Sequence, residues 1–589
     1  MTERYLKILF SYIGFAVFFI GLIYFSQGCK QVAPADLVLM NAQIATMEAS
    51  PEFAEALAID KDRLIAVGSK NLIRKYIGKK TRVLDLQSKR VIPGLIEGHA
   101  HFLGLGYAKM QLDLTRAANW DAVVAMVAEA VQLVEPGEWI IGRGWHQEKW
   151  QPRPVNTYEG YPAHDDLSRV SANNPVILTH ASGHAIFVNK KAMDLAGINR
   201  RTPDPPGGRI IRRSDGEATG VFLETAEDLI QAVYHKSQQD RTAGQIEAET
   251  IKAIHLATEE CLRYGITTFY DAGSSFQTID LLKRLADENA LGLRLWVMIG
   301  EENDQLRGKL SDYRLINYGN YHLTVRAIKR YMDGALGARG AWLLDAYEDL
   351  PGDTGLNTIP LNVFEETARL AIEHGFQVCT HAIGDRANRE TLDIYGKVFA
   401  EYPQQKDLRW RIEHAQHLHP DDIPRFAELG VIAAMQTNHC TSDGPWVPQR
   451  LGEKRAREGA YVWQKLMQSG AIIANGTDAP VEDINPFANY YAAVTRKMEN
   501  GQAFYPEQAM SRMEALISYT WNAAYAGFEE DIKGSIKPGK LADLVVLSQD
   551  LLSISEEKIP ATEVLYTILG GKIVYQHPSL NGDDVSEHL

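Results

Sequence analysis

A chain of 589 residues with 45% hydrophobic and 23% charged residues has the composition of a globular protein, and it is long enough for two or more domains. The net charge of −14, without any basic stripe interleaved with aromatics, excludes a general nucleic-acid binder. Four cysteines without Cys-x-x-Cys spacing make no disulfide framework, and the sequence shows no short-period repeat or low-complexity tract.

Taken in chain order, Arg4 and Lys7 precede an apolar run over residues 8–25, followed by Ser26-Gln27-Gly28-Cys29. A charged start plus an apolar stretch reads as an export signal. The run is also just long enough to span a bilayer as an uncleaved anchor. Gly28-Cys29 resembles the end of a bacterial lipoprotein signal, in which the cysteine carries lipid. Residues 1–29 are therefore expected to be a leader or membrane anchor. The remainder is expected to be exported and membrane-associated, on the periplasmic or extracellular side.

Residues 36–92 alternate short β-like pieces, and residues 533–577 have the same texture. Between them, Val91-Ile92-Pro93-Gly94-Leu95-Ile96-Glu97-Gly98 delivers His99-Ala100-His101. Strand residues i and i+2 share a face, so two imidazoles at a strand end can grip one metal ion. Four further apolar runs end in a polar residue: Lys329, His381, His414 and Asp478. Candidate strands are 91–98, 266–271, 293–299, 325–329, 376–381, 410–414, 431–436 and 471–475. Helical patterns, such as 246–264 and 363–374, lie between several of them. Eight such strands read as an α/β fold, a (β/α)8 TIM-like barrel over 93–532. In that fold the active site sits at the C-terminal strand ends, where all six candidate ligands fall. The segment of about 112–240 is too long for a barrel connection. With a helix-like stretch at 120–134 and β-like runs at 139–143 and 176–179, it reads as an inserted α+β subdomain over the barrel mouth.

The order His-x-His, Lys, His, His, Asp resembles the amidohydrolase superfamily. The phrases IKRYMDGALGARGAWL, HAIGDRAN, RIEHAQ and GTDAPVEDINP resemble its amidohydrolase family 3, the N-substituted formamide deformylase-like branch. Glu97 departs from the aspartate of many relatives without touching a ligand. The resemblance implies that the two chain ends combine into one small β-sandwich. It also implies that His99 and His101, with Asp478, bind a more buried metal, and that His381 and His414 bind a second. Lys329 would link the two. An ammonium cannot ligate a cation, but a neutral amine made accessible by burial can take up CO₂ to form a bridging carbamate. The alternative is an ordinary lysine paired with Asp333. Nitrogen and oxygen ligands suit two zinc ions, with manganese, iron or cobalt open. Metal-activated hydroxide would attack the substrate, and Asp478 would carry the proton to the leaving nitrogen.

His146, His180 and His184 in the insertion, and His439 after the seventh strand, are candidate substrate contacts. His417 and His419 are expected to be structural. Trp145, Trp150 and Trp446 serve equally as pocket wall or core. The expected activity is hydrolysis of a non-peptide carbon–nitrogen bond in an amide-like small molecule. Rival readings are an ester or lactone hydrolase and a degenerate exported binding protein. The sequence leaves a homodimer open.

Overall fold

The computed structural model describes residues 32–50, 52–239 and 241–580, so the expected leader at residues 1–29 lies outside the described residues. Among the described residues no helix is long and apolar enough to cross a membrane. Eight parallel strands form the barrel: β1 Leu95–Ala100, β2 Ile266–Ser274, β3 Arg294–Ile299, β4 Leu323–Tyr331, β5 Gln377–Ala382, β6 Arg411–His414, β7 Ile432–Met435 and β8 Ile473–Asn475. Each pairs with the next in chain order. Helices follow the expected patterns. Ala243–Arg263 starts with a Thr242/Gln245 capping box, and Leu361–His374 ends at Gly375 with φ 70°.

The seam between β1 and β8 is closed by loop hydrogen bonds rather than a ladder. Asp478 N donates to His99 O and His101 N to Ala479 O, both at 2.8 Å. Two glycines permit the approach: a Cβ on Gly98 would lie 2.4 Å from Asn475 O, and one on Gly476 would lie 2.5 Å from His99 N. Glu97 clasps the seam, accepting from Thr477 N at 2.7 Å and Thr477 Oγ1 at 2.9 Å. It thereby fixes the turn that carries Asp478.

One expected strand divides. Arg90–Pro93 belongs to a different sheet, where it runs antiparallel to Leu544–Leu547 and parallel to Gln43–Ala45. The break comes at Pro93-Gly94. Gly94 packs so closely on β2 that a Cβ would lie 2.1 Å from Thr267 Oγ1. The six-stranded sheet thus mixes strands from both chain ends and shares a core with a four-stranded sheet built from residues 37–85. A buried Arg294–Asp543 pair, with bonds of 2.7 and 3.0 Å, ties this unit to β3.

The segment between β1 and β2 folds into a six-stranded sheet with helices Trp120–Val131, Asp165–Val170, Lys190–Leu195 and Asp228–Ser237. Trp145 and Trp150 lie in its own hydrophobic core, each 1% exposed. Their expected alternative role as pocket wall is therefore not seen. Cys261, Cys379 and Cys440 are free and buried, as core packing requires.

Candidate metal centre

The strand register sets the site. Lys329 on β4 lies opposite Cys379 on β5, and Tyr331 lies opposite His381, so Lys329 and His381 reach the mouth from adjacent strands. Adjacent strand residues normally face opposite ways. Glu413 and His414 nevertheless both reach the centre, because the backbone turns left-handed at His414 (φ 74°) and Ala415 (φ 42°). Asp478, at φ 61°, turns back over the seam in the same manner.

Ligand atoms of His99, His414 and Asp478 lie within 4.8 Å of one another. Asp478 Oδ1 is 3.3 Å from His101 Nε2 and 3.6 Å from His99 Nε2. Ring centroids are 4.9 Å apart for His99 and His414, and 4.5 Å for His381 and His414. The tightest triad therefore joins His414, rather than His101, to His99 and Asp478. His99 Nε2, His381 Nε2, Lys329 Nζ and Asp478 Oδ1 are buried without a hydrogen-bond partner. Buried polar atoms are seldom left unpaired. Two imidazole nitrogens and a carboxylate oxygen left unpaired in this way, with the Lys329 amine also unpaired, fit a divalent cation.

The other ring nitrogens are held. His99 Nδ1 meets Glu413, whose two oxygens accept from Arg411 Nε at 2.7 Å and Arg411 Nη2 at 2.9 Å. His414 Nδ1 meets Gln436 Oε1 at 2.7 Å. Such partners fix ring orientation at metal sites. Burial pushes His99 down to about 4, although Glu413 opposes it, and burial also lowers His381 and His414. Burial lowers Lys329 too, which favours the neutral amine that a carbamate requires. Burial raises the Asp478 carboxyl, but the adjacent His101, His414 and His99 rings outweigh it and hold it well below the ordinary carboxylate range. The expected alternative pairing of Lys329 with Asp333 is absent. Asp333 instead accepts from the backbone N–H groups of Trp342, Ile383 and Gly384 at 2.7–2.9 Å, ordering the loops after β4 and β5.

The centre opens into a cleft. All four candidate substrate histidines line it, with Trp446, Leu336 and Ile383 on its apolar side. His439 Nε2 is 3.9 Å from Asp478 Oδ2, and its ring stacks 6.1 Å from His414. His184 Nδ1 meets Glu224 Oε2 at 2.9 Å, and its ring lies 5.5 Å from His381. His180 Nδ1 meets Ser182 Oγ at 2.8 Å, with its ring 4.6 Å from that of His146. His146 Nδ1 accepts from Glu148 N at 3.3 Å. His419 caps the turn Pro420–Asp422, and His417 is buried edge-on to Tyr461.

Sequence reasoning missed Glu413, Arg411, Gln436 and Glu224. Arg411-x-Glu413 left a trace: two opposite charges at i and i+2 in a short strand share one face, and burial there demands a partner. Glu224 left none, since its partner is 40 residues away.

A model of the amidohydrolase family matches residues 82–575. The chain belongs to the amidohydrolase family. This amidohydrolase is 33% identical over 554 residues to Protein LONG AFTER FAR-RED 3 of Arabidopsis thaliana, covering 92% of each chain. It is 26% identical over 548 residues to the N-substituted formamide deformylase of Arthrobacter pascens, covering 92% of this chain and 98% of that protein. Among solved structures it resembles an uncharacterized metal-dependent hydrolase from Pyrococcus horikoshii. The TM-score is 0.70 and the identity 25%, over 88% of this chain and 99% of that one.

Proposed function

We propose that this amidohydrolase is a metal-dependent hydrolase of a non-peptide carbon–nitrogen bond in an amide-like small molecule. The observation that carries the reading is the group of buried, unpartnered His99, His381, Lys329 and Asp478 atoms, of which the residues His381, Lys329 and Asp478 line one cleft. His99, His101, His381, His414, Asp478 and a carbamylated Lys329 would hold two divalent ions, zinc being the ion that suits these donors best. Such ions supply Lewis acidity and a nucleophile at neutral pH.

The chain's own groups do the rest. Asp478, ionised in the cleft, takes the proton of the attacking water and returns it to the leaving nitrogen. His101, 3.3 Å away, steadies that carboxylate. Glu413 and Gln436 keep the His99 and His414 rings aimed inward. Trp446, Leu336 and Ile383 give the substrate an apolar wall. The similarity to the formamide deformylase supports an amide as substrate.

Metal analysis of purified protein, followed by a screen of formamides, N-acyl amines and lactones, tests the reading. Stoichiometric metal with amide hydrolysis is expected, and turnover of lactones alone would overturn it. We also propose export with a lipid or peptide anchor at residues 1–29. Lipid labelling lost in Cys29→Ala would support the lipid form. A reporter fused after the barrel and active only in the cytoplasm would defeat export in either form.

A further inference from the structure

Resting on that reading, we propose that Arg143 is an anion-binding residue of the substrate site and that the substrate is an amide carrying a carboxylate, of the N-acyl amino acid kind. Arg143 sits on the insertion strand Ile140–Trp145, beside the loop that follows β8. Its Nη2 donates to Ala181 O at 2.9 Å and its Nε to Pro480 O at 3.4 Å. A guanidinium has five N–H donors, so three remain. Among the described residues no carboxylate lies within 4 Å of it, and the residue is half-buried. Burial lowers its pKa, and the charges of Asp478 and Glu227 oppose that shift.

The neighbouring cations differ. Arg143 borders two cavities, one of which also contains Lys109 and Lys149. Lys109 is paired with Glu260 at 2.8 Å, and Lys149 is 3.9 Å from Glu482. In the other cavity the carboxylate of Asp271 is already engaged, accepting from Phe102 N at 2.9 Å and Ser274 Oγ at 2.6 Å. That cavity shares His101, His184, Tyr331 and Val481 with the metal cleft. A substrate with its amide over the metal centre can therefore extend into the space that Arg143 borders. The carboxylates that Arg143 feels, Asp478 and Glu227, lie beyond ion-pair distance, so a half-buried guanidinium with free donors on that space can still recognise a substrate carboxylate through paired charge-assisted hydrogen bonds.

The test compares N-formyl amino acids with their neutral carboxamides, using the metal-loaded full chain and its Arg143→Gln and Arg143→Lys variants. The acid should be preferred. Arg143→Gln should raise KM for the acid by about 10- to 100-fold, the scale of a lost charged pair, while kinetics on the carboxamide stay put. Arg143→Lys should recover part of the preference. Equal kcat/KM for acid and carboxamide in the unaltered enzyme would overturn the proposal. So would equal damage to both by Arg143→Gln, which would mark Arg143 as a tether between the Ala181 and Pro480 loops. A binding arm separates this proposal from the hydrolase reading. Calorimetry with an N-sulfonyl amino acid, which has no scissile carbonyl, should show Arg143-dependent binding that its carboxamide lacks. If that holds while no amide is hydrolysed, the carboxylate site stands and the amide-hydrolase reading falls. If acid and carboxamide bind alike, the carboxylate site falls.

Discussion

The two sides of the cleft are built differently. On the barrel side, histidines from separate strands bring unpartnered atoms together, and their other nitrogens are held by groups from other strands: Glu413 on β6 holds His99 of β1, and Gln436 at the end of β7 holds His414 of β6. On the insertion side, His146 and His180 are held by neighbours two residues away, Glu148 and Ser182, and their rings pack on each other. The barrel side is placed by strand register, a global property of the fold. The His146–His180 pair on the insertion side is placed by local turns, although His184 beside it is held by Glu224. Chemistry that must hold metal–ligand distances near ~2 Å belongs on the first kind of support, and substrate selection can vary on the second.

Breaking the barrel side should have the largest effect. Asp478→Asn is expected to lower kcat by on the order of 10²–10⁴ with the fold retained, metal content being measured alongside because asparagine is a weaker ligand. Lys329→Ala should lose metal and activity together, and a short carboxylic acid should restore part of both by supplying the missing oxygens. Near-normal kcat with full metal in Asp478→Asn would move the proton-carrier role to another residue, with His439 and His184 the first to test.

The support beneath the ligands comes next. Glu413→Gln leaves the buried Arg411 guanidinium without its counter-charge. A stability loss of about 3–5 kcal/mol is expected from denaturant unfolding. Metal affinity should fall roughly 10- to 100-fold because the His99 ring loses its orienting partner. An unchanged unfolding midpoint would show that the Arg411–Glu413–His99 chain carries little of the barrel's stability.

The insertion side should respond more gently and in a different quantity. His180→Ala is expected to leave metal content intact and to raise KM about 5- to 10-fold, the worth of one to two hydrogen bonds. A fall in kcat with KM unchanged would place His180 with the reacting atoms and erase the distinction between the two sides.

The same distinction governs what the sequence disclosed. His99, His101, Lys329, His381, His414 and Asp478 each end an apolar run or follow one closely, so strand periodicity pointed to them directly. The eighth strand end is where periodicity weakens. Ile473–Asn475 is only three residues long, and Asp478 reaches the centre through a left-handed turn that Glu97 clasps from the first strand. That clasp joins residues 380 positions apart, and no local pattern encodes it. The division at Pro93-Gly94 was hidden for a related reason. Two strands of different sheets follow one another with a single residue between, and their apolar runs read as one. Within the insertion, Arg143 donates to Pro480 O, 337 positions along the chain, and Glu224 meets His184, 40 positions back, and a single sequence carries no signal of those contacts.

The smallest expected effect concerns a histidine outside the centre. His417 is 3% exposed, and neither of its ring nitrogens has a hydrogen-bond partner among the described residues. Burial pushes it down to about 3 from an ordinary 6.5. Between those values the unfolded chain binds a proton that the folded chain refuses, so stability falls as pH drops from about 6.5 towards 3. His417→Phe removes that proton site and keeps an aromatic ring edge-on to Tyr461, while the backbone bond from His417 N to Ile383 O is untouched. The variant should be about 1 kcal/mol more stable at pH 7.5, since a buried imidazole with unmet hydrogen bonds is costly. Its melting temperature should also fall less between pH 7 and pH 5 than that of the unaltered protein. Protonation of the metal ligands lowers both curves alike, so the difference between them isolates His417. Parallel curves would mean that His417 finds a partner or water in solution. A less stable variant at pH 7.5 would mean that the larger ring does not fit beside Tyr461.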